Sequence, residues 1–141
     1  GPLFEELLLP LRSYSNIHIE EKFFTQSEIA AMHASYGVFL TPSRTDTQGV
    51  SRDEAMSSGL VPITNAVAAI PEFANAECAI LAEKEDYIGL AEGIKKLYLN
   101  PDLYVKMSEK AAERVRNQTA REYTINKELQ LIGFDHAKIS S

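Results

Sequence analysis

The segment of residues 43–56 has the residue types of an anion-binding site. It begins where a short apolar run ends, passes through Gly49, and enters a helical segment that starts near Ser51. The first amides of a helix have no intrahelical partner and the helix dipole is positive there, so a helix start attracts anions, most often phosphates. A glycine before the helix lets a ligand approach the backbone closely. We therefore predict a phosphate-type ligand at this loop.

The elements around this loop predict an open α/β sheet. Short apolar runs are typical of strands, and they lie at residues 17–19, 38–40, 61–64 and 78–81. The run at 38–40 shows no alternation, which predicts a parallel strand buried on both faces. Strands separated by helical segments pair in parallel, and such sheets bind ligands at the carboxyl ends of their strands. This rule selects two loops, at residues 43–49 and 65–72.

Helices are predicted by local signals between these runs. Thr25 and Glu28 have the spacing of a capping box, and Gly59 is placed to end a helix over residues 51–58. Apolar residues at helical spacing predict an amphipathic helix over 85–99 and a second helix from Leu103, with a weakly helical continuation to Ile132. A short helix over residues 3–11 is expected to end or bend near Pro10.

Composition excludes several classes of protein. The chain has 141 residues, of which 45% are apolar and 24% charged, as in a soluble globular domain. No apolar run is long enough to span a bilayer, and the net charge of -6 disfavours nucleic-acid binding. The single cysteine, Cys78, is predicted to be a buried apolar residue in a reducing compartment, here the cytoplasm. His18, His33 and His136 are far apart, so we expect no metal site.

Several motifs resemble those of one known family. They are residues 39–44, Gly49, residues 54–56, 59–62 and 70–72, and a turn at 100–103. In this order they resemble the donor-binding domain of retaining GT-B glycosyltransferases of the glycosyl transferases group 1 type. The resemblance implies a Rossmann-like open parallel sheet flanked by helices, the C-terminal half of a GT-B fold without its first strands. We expect residues 1–132 to form this partial donor domain and residues 133–141 to form a tail.

The resemblance also implies a reaction, the transfer of a sugar from a nucleoside-diphosphate sugar to a glycan, lipid or small molecule. Asp46 and Glu54 occupy the family's two acidic positions, which are separated by seven residues. Glu54 would bind the ribose hydroxyls, and Asp46 would lie against the donor sugar near the reacting carbon. No metal or other cofactor is expected, because helix-start amides would stabilise the charge on the departing diphosphate.

The remaining positions of the loop complete the implied donor site. The amides of Gly49, Val50 and Ser51 would face the diphosphate, while Arg44 and Gln48 would line the loop. These assignments follow from the resemblance, which gives a position for Arg44 and not a role.

The sequence departs from the family pattern at three places. Asp46 replaces the usual Glu and is one methylene shorter, Gln48 stands where an aromatic residue is common, and Ala68 with Ala69 replaces a frequent glycine pair. These departures keep two alternatives open. One is a catalytically silent module that binds a nucleotide or a protein partner, and the other is a nucleotide-sugar epimerase of similar fold.

Simpler roles are open for individual residues. Ser51 and Glu54 have capping-box spacing, Asp46 fits a turn, and Glu72 fits a helix start. A pair of carboxylates also suggests a glycosidase. That hypothesis is weaker, because the chain has no Trp for a sugar platform and a helix start suits a diphosphate.

The resemblance further implies a longer parent protein. The family's donor domain begins with two further strands and a basic residue for the diphosphate, and its acceptor binds to an N-terminal domain. We expect this chain to be a C-terminal piece that is inactive by itself. Many relatives act on lipid-linked acceptors, so peripheral membrane association of the parent protein stays open.

Overall fold

A computed structural model describes residues 3–45, 49–68 and 70–133. The helices are α1 (Phe4–Leu7), a 3-10 helix (Leu9–Ser13), α2 (Gln26–His33), α3 (Val50–Ser57), α4 (Ile70–Phe73), α5 (Tyr87–Leu99) and α6 (Pro101–Leu131). The strands are β1 (Val38–Thr41), β2 (Val61–Asn65) and β3 (Ile80–Ala82). The predicted tail falls mostly at 134–141, outside the described residues.

The strands form a parallel sheet in the order β1-β2-β3, which confirms the predicted open α/β architecture. Val61 lies opposite Val38 and Ile63 opposite Ile80, so β2 is the central strand. Pro62 pairs only with β1, because pairing with β3 begins at Ile63. A proline, which lacks an amide hydrogen, is tolerated at such a strand start.

The core lies between the sheet and the two long helices. Val61 and Ile63 of β2 contact buried side chains of α5 and α6, Leu90, Leu97 and Met107. Met56 of α3 packs with Cys78 and Ala111 in a second cluster. Cys78 is a free, buried thiol, as predicted. This packing holds α3 against β2 and α6, and so determines where the start of α3 lies.

Local helix signals were predicted correctly where the deciding contacts are close in sequence. The side chain of Thr25 accepts from the amide of Glu28, whose carboxylate accepts from the amide of Thr25, a complete capping box. Gly59 ends α3 with a φ of +85°, a conformation that glycine adopts without strain. α1 ends at Leu7, close to the end predicted near Leu9, and a 3-10 helix that contains Pro10 follows it. Asn100 separates α5 from α6 where the sequence indicated.

Three strand predictions were wrong in part or in whole. Residues 17–19 form no strand, because no described strand pairs with them. β1 is not buried on both faces, since Leu40 is 47% exposed. β3 begins two residues later than expected, because the amides of Cys78 and Ala79 both donate to the carbonyl of Asn75 in a turn.

Candidate functional site

A cavity of about 250 Å³ lies where the carboxyl ends of β1 and β2 meet the start of α3. Its lining comes from four elements and the loops between them: Phe39, Thr41, Ser43, Gly49, Ser51, Arg52, Thr64 and Ile70. The parallel register places Thr41 opposite Thr64, so the ends of the two strands are adjacent. The structure therefore brings the two loops selected from the sequence to one place.

The first turn of α3 faces this cavity. Gly49 precedes the helix with a φ of -78°, and no side chain caps the helix start. Gly49 and Ser51 line the cavity, whereas Val50 is 60% exposed. The first amides of a helix have no carbonyl four residues earlier, so this end of α3 can bind an anion.

Two buried polar residues at the end of β2 hold the loops in place. Thr64 Oγ1 donates to the carbonyl of Thr41 at 2.7 Å. Asn65 Oδ1 accepts from the amide of Ser43 at 3.0 Å, and Asn65 Nδ2 donates to the carbonyl of Glu83 at 2.6 Å. Asn65 thus links the loop after β1 to the loop after β3. Sequence analysis missed it, although a polar pair closing an apolar strand was a usable signal.

Arg52 lies in the site, and the sequence did not indicate it. The side chain is only 6% exposed and lines the cavity. Its guanidinium occupies the space that a side chain at Gly49 would fill. Nε and Nη2 each donate to Oδ1 of Asp53 at 3.3 Å. A side chain at position 49 would therefore collide with Arg52, which is one structural reason for a glycine there.

Glu54 lies one turn further along α3 and outside the lining of the cavity. Its carboxylate is half-buried and accepts from Gln26 Nε2 of α2 at 3.0 Å. Val50, four residues earlier, lies on the same side of the helix. The capping-box interpretation of Ser51 and Glu54 is wrong, because α3 already begins at Val50 and Ser51 is helical.

Arg44 points away from this cavity. Its side chain is 84% exposed and forms an ion pair with Glu85 at 3.3 Å. Both residues line a second cavity of about 320 Å³, which shares only Ser43 with the first. Such an exposed pair is screened by solvent and contributes little to stability.

The other predicted positions fall into two groups. Asp46, Gln48 and Ala69 lie outside the described residues. Ala68 has a φ of +47°, in the left-handed region that favours the glycine of the family pattern. Glu72 is exposed, and its carbonyl accepts from Arg114 at 2.6 Å, away from the cavity beside α3.

The described part of the chain has neither a cluster of metal-ligating side chains nor a helix that could span a membrane. Residues 3–45, 49–68 and 70–133 include no group of three histidine, cysteine or acidic side chains placed to hold a metal ion. In those ranges no helix combines the length and apolar character that crossing a bilayer requires.

Comparison with known proteins identifies the family. The family model of glycosyl transferases group 1 matches residues 14–114, which include every predicted site position. The chain belongs to this family. The chain is 28% identical over 130 residues to N-acetyl-alpha-D-glucosaminyl L-malate synthase of Bacillus anthracis, covering 89% of this chain and 33% of that protein.

The fold agrees with this assignment. The chain superimposes on sucrose-phosphate synthase of Thermosynechococcus elongatus with a TM-score of 0.76 at 19% identity, covering 95% of this chain and 35% of that one. The architecture is the Rossmann-like sheet of a GT-B glycosyltransferase. The chain spans about a third of the length of each of these two proteins.

Proposed function

We propose that this chain is the donor-binding part of a retaining glycosyltransferase that uses a nucleoside-diphosphate sugar. One observation carries the proposal. The uncapped start of α3 and the carboxyl ends of β1 and β2 line one cavity, and all lie within the segment that matches the family. The diphosphate would lie there, and the bond from its oxygen to the anomeric carbon of the donor would break as the acceptor oxygen attaches on the same face.

Charge developing on the departing diphosphate would be stabilised by fixed donors in the cavity. The amides at residues 49–51 are held by the helix, so they need no reorganisation during the reaction. A metal ion is not required for this chemistry. Asp46 would lie against the donor sugar, and Gln48 would form part of the wall beside it.

The position of Glu54 supports a contact with ribose. A helix rises about 5.4 Å per turn, so Glu54 lies roughly that far along α3 from its first residue. A diphosphate at the helix start would leave the attached ribose near the exposed Val50 and the carboxylate of Glu54. Carboxylates accept hydrogen bonds from the hydroxyl groups of a ribose.

The chain would act as one part of a larger cytoplasmic enzyme. The acceptor would bind to an N-terminal domain, and the donor-binding part alone would not catalyse transfer. The parent protein would associate with a membrane only peripherally, where its acceptor is lipid-linked.

Glu54→Ala and Gln26→Ala form a matched pair that tests the ribose contact. Glu54→Ala should weaken nucleoside-diphosphate binding by about 1.5–3 kcal/mol, as for the loss of a hydrogen bond to a charged partner. Gln26→Ala removes the same α2–α3 hydrogen bond but keeps the carboxylate, so affinity should be unchanged. Calorimetric titration of the protein at its natural length measures both. Equal losses in both variants would show that Glu54 only holds α2.

Asp46→Asn tests catalysis in the same protein. Turnover with a panel of nucleotide sugars should be abolished while nucleotide affinity is kept, because the carboxylate would act on the donor sugar. Retained turnover would remove Asp46 from the reaction. A wild-type protein that binds nucleotide without turnover would instead support the silent binding module.

A further inference from the structure

We infer that the second cavity, of about 320 Å³, binds a sugar ring beside the diphosphate. The inference rests on the proposed function and gives roles to Arg44, Glu85 and Tyr87, for which the family resemblance implies none. All three residues line this cavity. The ring belongs either to the donor or to an acceptor that reaches across from the N-terminal domain, and both sources present the same hydroxyl-rich chemistry.

The second cavity lies where the carboxyl ends of the three strands meet. Ser43 follows β1, Asn65 is the last residue of β2, and Glu85 follows β3. Ligands of open parallel sheets bind at this edge. Ser43 lines both cavities, so a ligand with its diphosphate in the first cavity can place an attached group in the second.

Local hydrogen bonds fix the loops that form this cavity. Both polar groups of Asn65 are used, one on the amide of Ser43 and the other on the carbonyl of Glu83. The carboxylate of Asp86 accepts from the amide of Gly89 at 2.8 Å and caps α5. Among the described residues of the lining, Arg44 and Glu85 are those with charged side chains.

Arg44 and Glu85 supply the hydrogen-bonding groups that a sugar ring needs. Nε of Arg44 and Oε1 of Glu85 are 3.3 Å apart, and the two side chains are 84% and 61% exposed. A guanidinium has five N–H donors and a carboxylate has about four acceptor sites, so the pair can bind further partners. Because the two charges cancel, the pair favours a neutral ligand with both donors and acceptors over an anion or a cation. The hydroxyl groups of a sugar have this character.

Tyr87 adds an apolar surface next to this pair. It is the first residue of α5 and is 77% exposed, and the buried Leu90 of the same helix also lines the cavity. The C–H groups on one face of a sugar ring pack well on the negative face of an aromatic ring. The volume lies at the lower end of the roughly 300–1,000 Å³ of small-molecule pockets, which suits one ring more than a whole nucleotide.

The backbone of Glu85 gives separate support. Its φ of +61° lies in the left-handed region, where glycine is favoured and a residue with a side chain is strained. Its exposed ion pair with Arg44 contributes little to stability. Stability alone would therefore favour glycine at position 85, whereas a role in binding accounts for the carboxylate. Strained residues of this kind are concentrated at ligand sites.

Calorimetric titration of the protein at its natural length tests the cavity with a donor sugar. The probes are UDP-glucose, UDP-N-acetylglucosamine, ADP-glucose and GDP-mannose, with UDP, ADP and GDP. If the ring is the donor's, Tyr87→Ala and Arg44→Met should each weaken the best nucleotide sugar by about 5- to 15-fold and leave its nucleoside diphosphate within about twofold. Tyr98→Ala on the same helix and Arg116→Met on α6 replace exposed residues and are the matched controls, which should change no affinity.

Free methyl glycosides of glucose, mannose and N-acetylglucosamine separate the two sources of the ring. Saturation-transfer NMR should detect one of them on the wild-type protein and lose the signal in Tyr87→Ala and Arg44→Met. Loss of the signal when the best nucleotide sugar is added, but not with its nucleoside diphosphate, assigns the cavity to the donor sugar. A signal that persists with the nucleotide sugar bound assigns the cavity to the acceptor, and the nucleotide-sugar affinities should then be unchanged in both variants.

Glu85→Gly tests the carboxylate in a variant that should fold at least as well as wild type. It should raise the urea midpoint of unfolding, because the strain at position 85 is relieved, and weaken the same sugar. Full sugar affinity in Glu85→Gly would mean that the carboxylate does not bind the ring, against the inference.

Two further results would overturn the inference. One is a Tyr87→Ala and an Arg44→Met that bind glycosides and nucleotide sugars as wild type does. The other is an equal loss of nucleotide sugar and nucleoside diphosphate in these variants. A wild-type protein that binds glycosides through Tyr87 and Arg44 but no nucleoside diphosphate or nucleotide sugar would instead refute the proposed function alone.

Discussion

The central strand and the amino-terminal segment are both rich in apolar residues, yet they differ completely in burial. Every residue of β2 is buried. Within residues 3–36 none is, and large apolar side chains there face solvent: Leu3, Leu7, Leu8, Tyr14, Phe23, Met32 and Tyr36. β2 has a strand on each side and helices packed against it, whereas α1 contacts mainly the adjacent 3-10 helix. Burial depends on the partners that the fold supplies, and composition alone does not decide it.

The largest expected difference in stability comes from replacing one large apolar side chain by alanine in each of the two regions. Ile63→Ala should lower the free energy of unfolding by about 2–5 kcal/mol, because Ile63 is fully buried in the main core cluster. Phe23→Ala should change it by less than about 0.5 kcal/mol, since the side chain of Phe23 is fully exposed. Urea unfolding measures both. Similar losses would mean that residues 3–36 are buried in the protein as it exists in solution.

An intermediate effect is expected at Asn65, where the core meets the site. Asn65→Ala should lower the free energy of unfolding by about 1–3 kcal/mol, because the amide of Ser43 and the carbonyl of Glu83 lose a buried partner. The exposed Asn126→Ala is the matched control and should stay within about 0.5 kcal/mol of wild type. Hydrogen exchange should accelerate at the Ser43 amide in Asn65→Ala. Protection there that equals wild type would show that the loops hold without Asn65.

The smallest effect concerns the amino-terminal segment, where local contacts replace packing. The amide of Thr25, with further hydrogen bonds from Lys22 and the Thr25 hydroxyl, lowers the pKa of Glu28 to about 2. The pKa of an unfolded glutamate is about 4.3, so the ionised cap stabilises the fold above that pH and is lost as the pH falls towards 2.

Glu28→Gln should therefore have a lower free energy of unfolding than wild type at neutral pH. The two free energies should converge near pH 2. Carbon-detected NMR titration of the Glu28 carboxyl follows the same transition. Lys22→Met should raise the pKa of Glu28 only part of the way to its ordinary value, because the largest contribution, the hydrogen bond from the Thr25 amide, remains. A Glu28 pKa near its ordinary value would show that the capping box does not persist in solution.

Sequence reasoning was most successful where the deciding contacts are short in sequence. The capping box of α2 spans four residues, from Thr25 to Glu28, and the end of α3 at Gly59 depends on one φ value. It was least successful for strands. Residues 17–19 (Ile-His-Ile) and residues 38–40 (Val-Phe-Leu) were both predicted to be strands, but only the latter pair with a described strand, β2. An isolated run of apolar residues does not say which neighbour will satisfy its backbone.

The sequence predicted where the candidate site lies, but it did not predict which side chains contact one another there. Gly49 and Ser51 face the predicted cavity, but Arg44 pairs with Glu85 and Glu54 with Gln26, residues 41 and 28 positions away in the chain. The roles of Asp46 and Gln48 stay predictions. Asn65 was missed as a contact residue because its partners, Ser43 and Glu83, are 22 and 18 positions away in the chain. Arg52 was missed because nothing in the local sequence indicates that its side chain is buried.

The sequence by itself determined the family, the parallel α/β class and the helix boundaries, because ordered motifs and short-range capping depend on neighbours along the chain. Only the tertiary structure decided that Arg52 is buried in the lining of the cavity and that Asn65 joins two loops. Those contacts depend on the register of three strands and on the packing of α3 against β2 and α6. Register and packing minimise the free energy of the whole core, which no local window of the sequence contains.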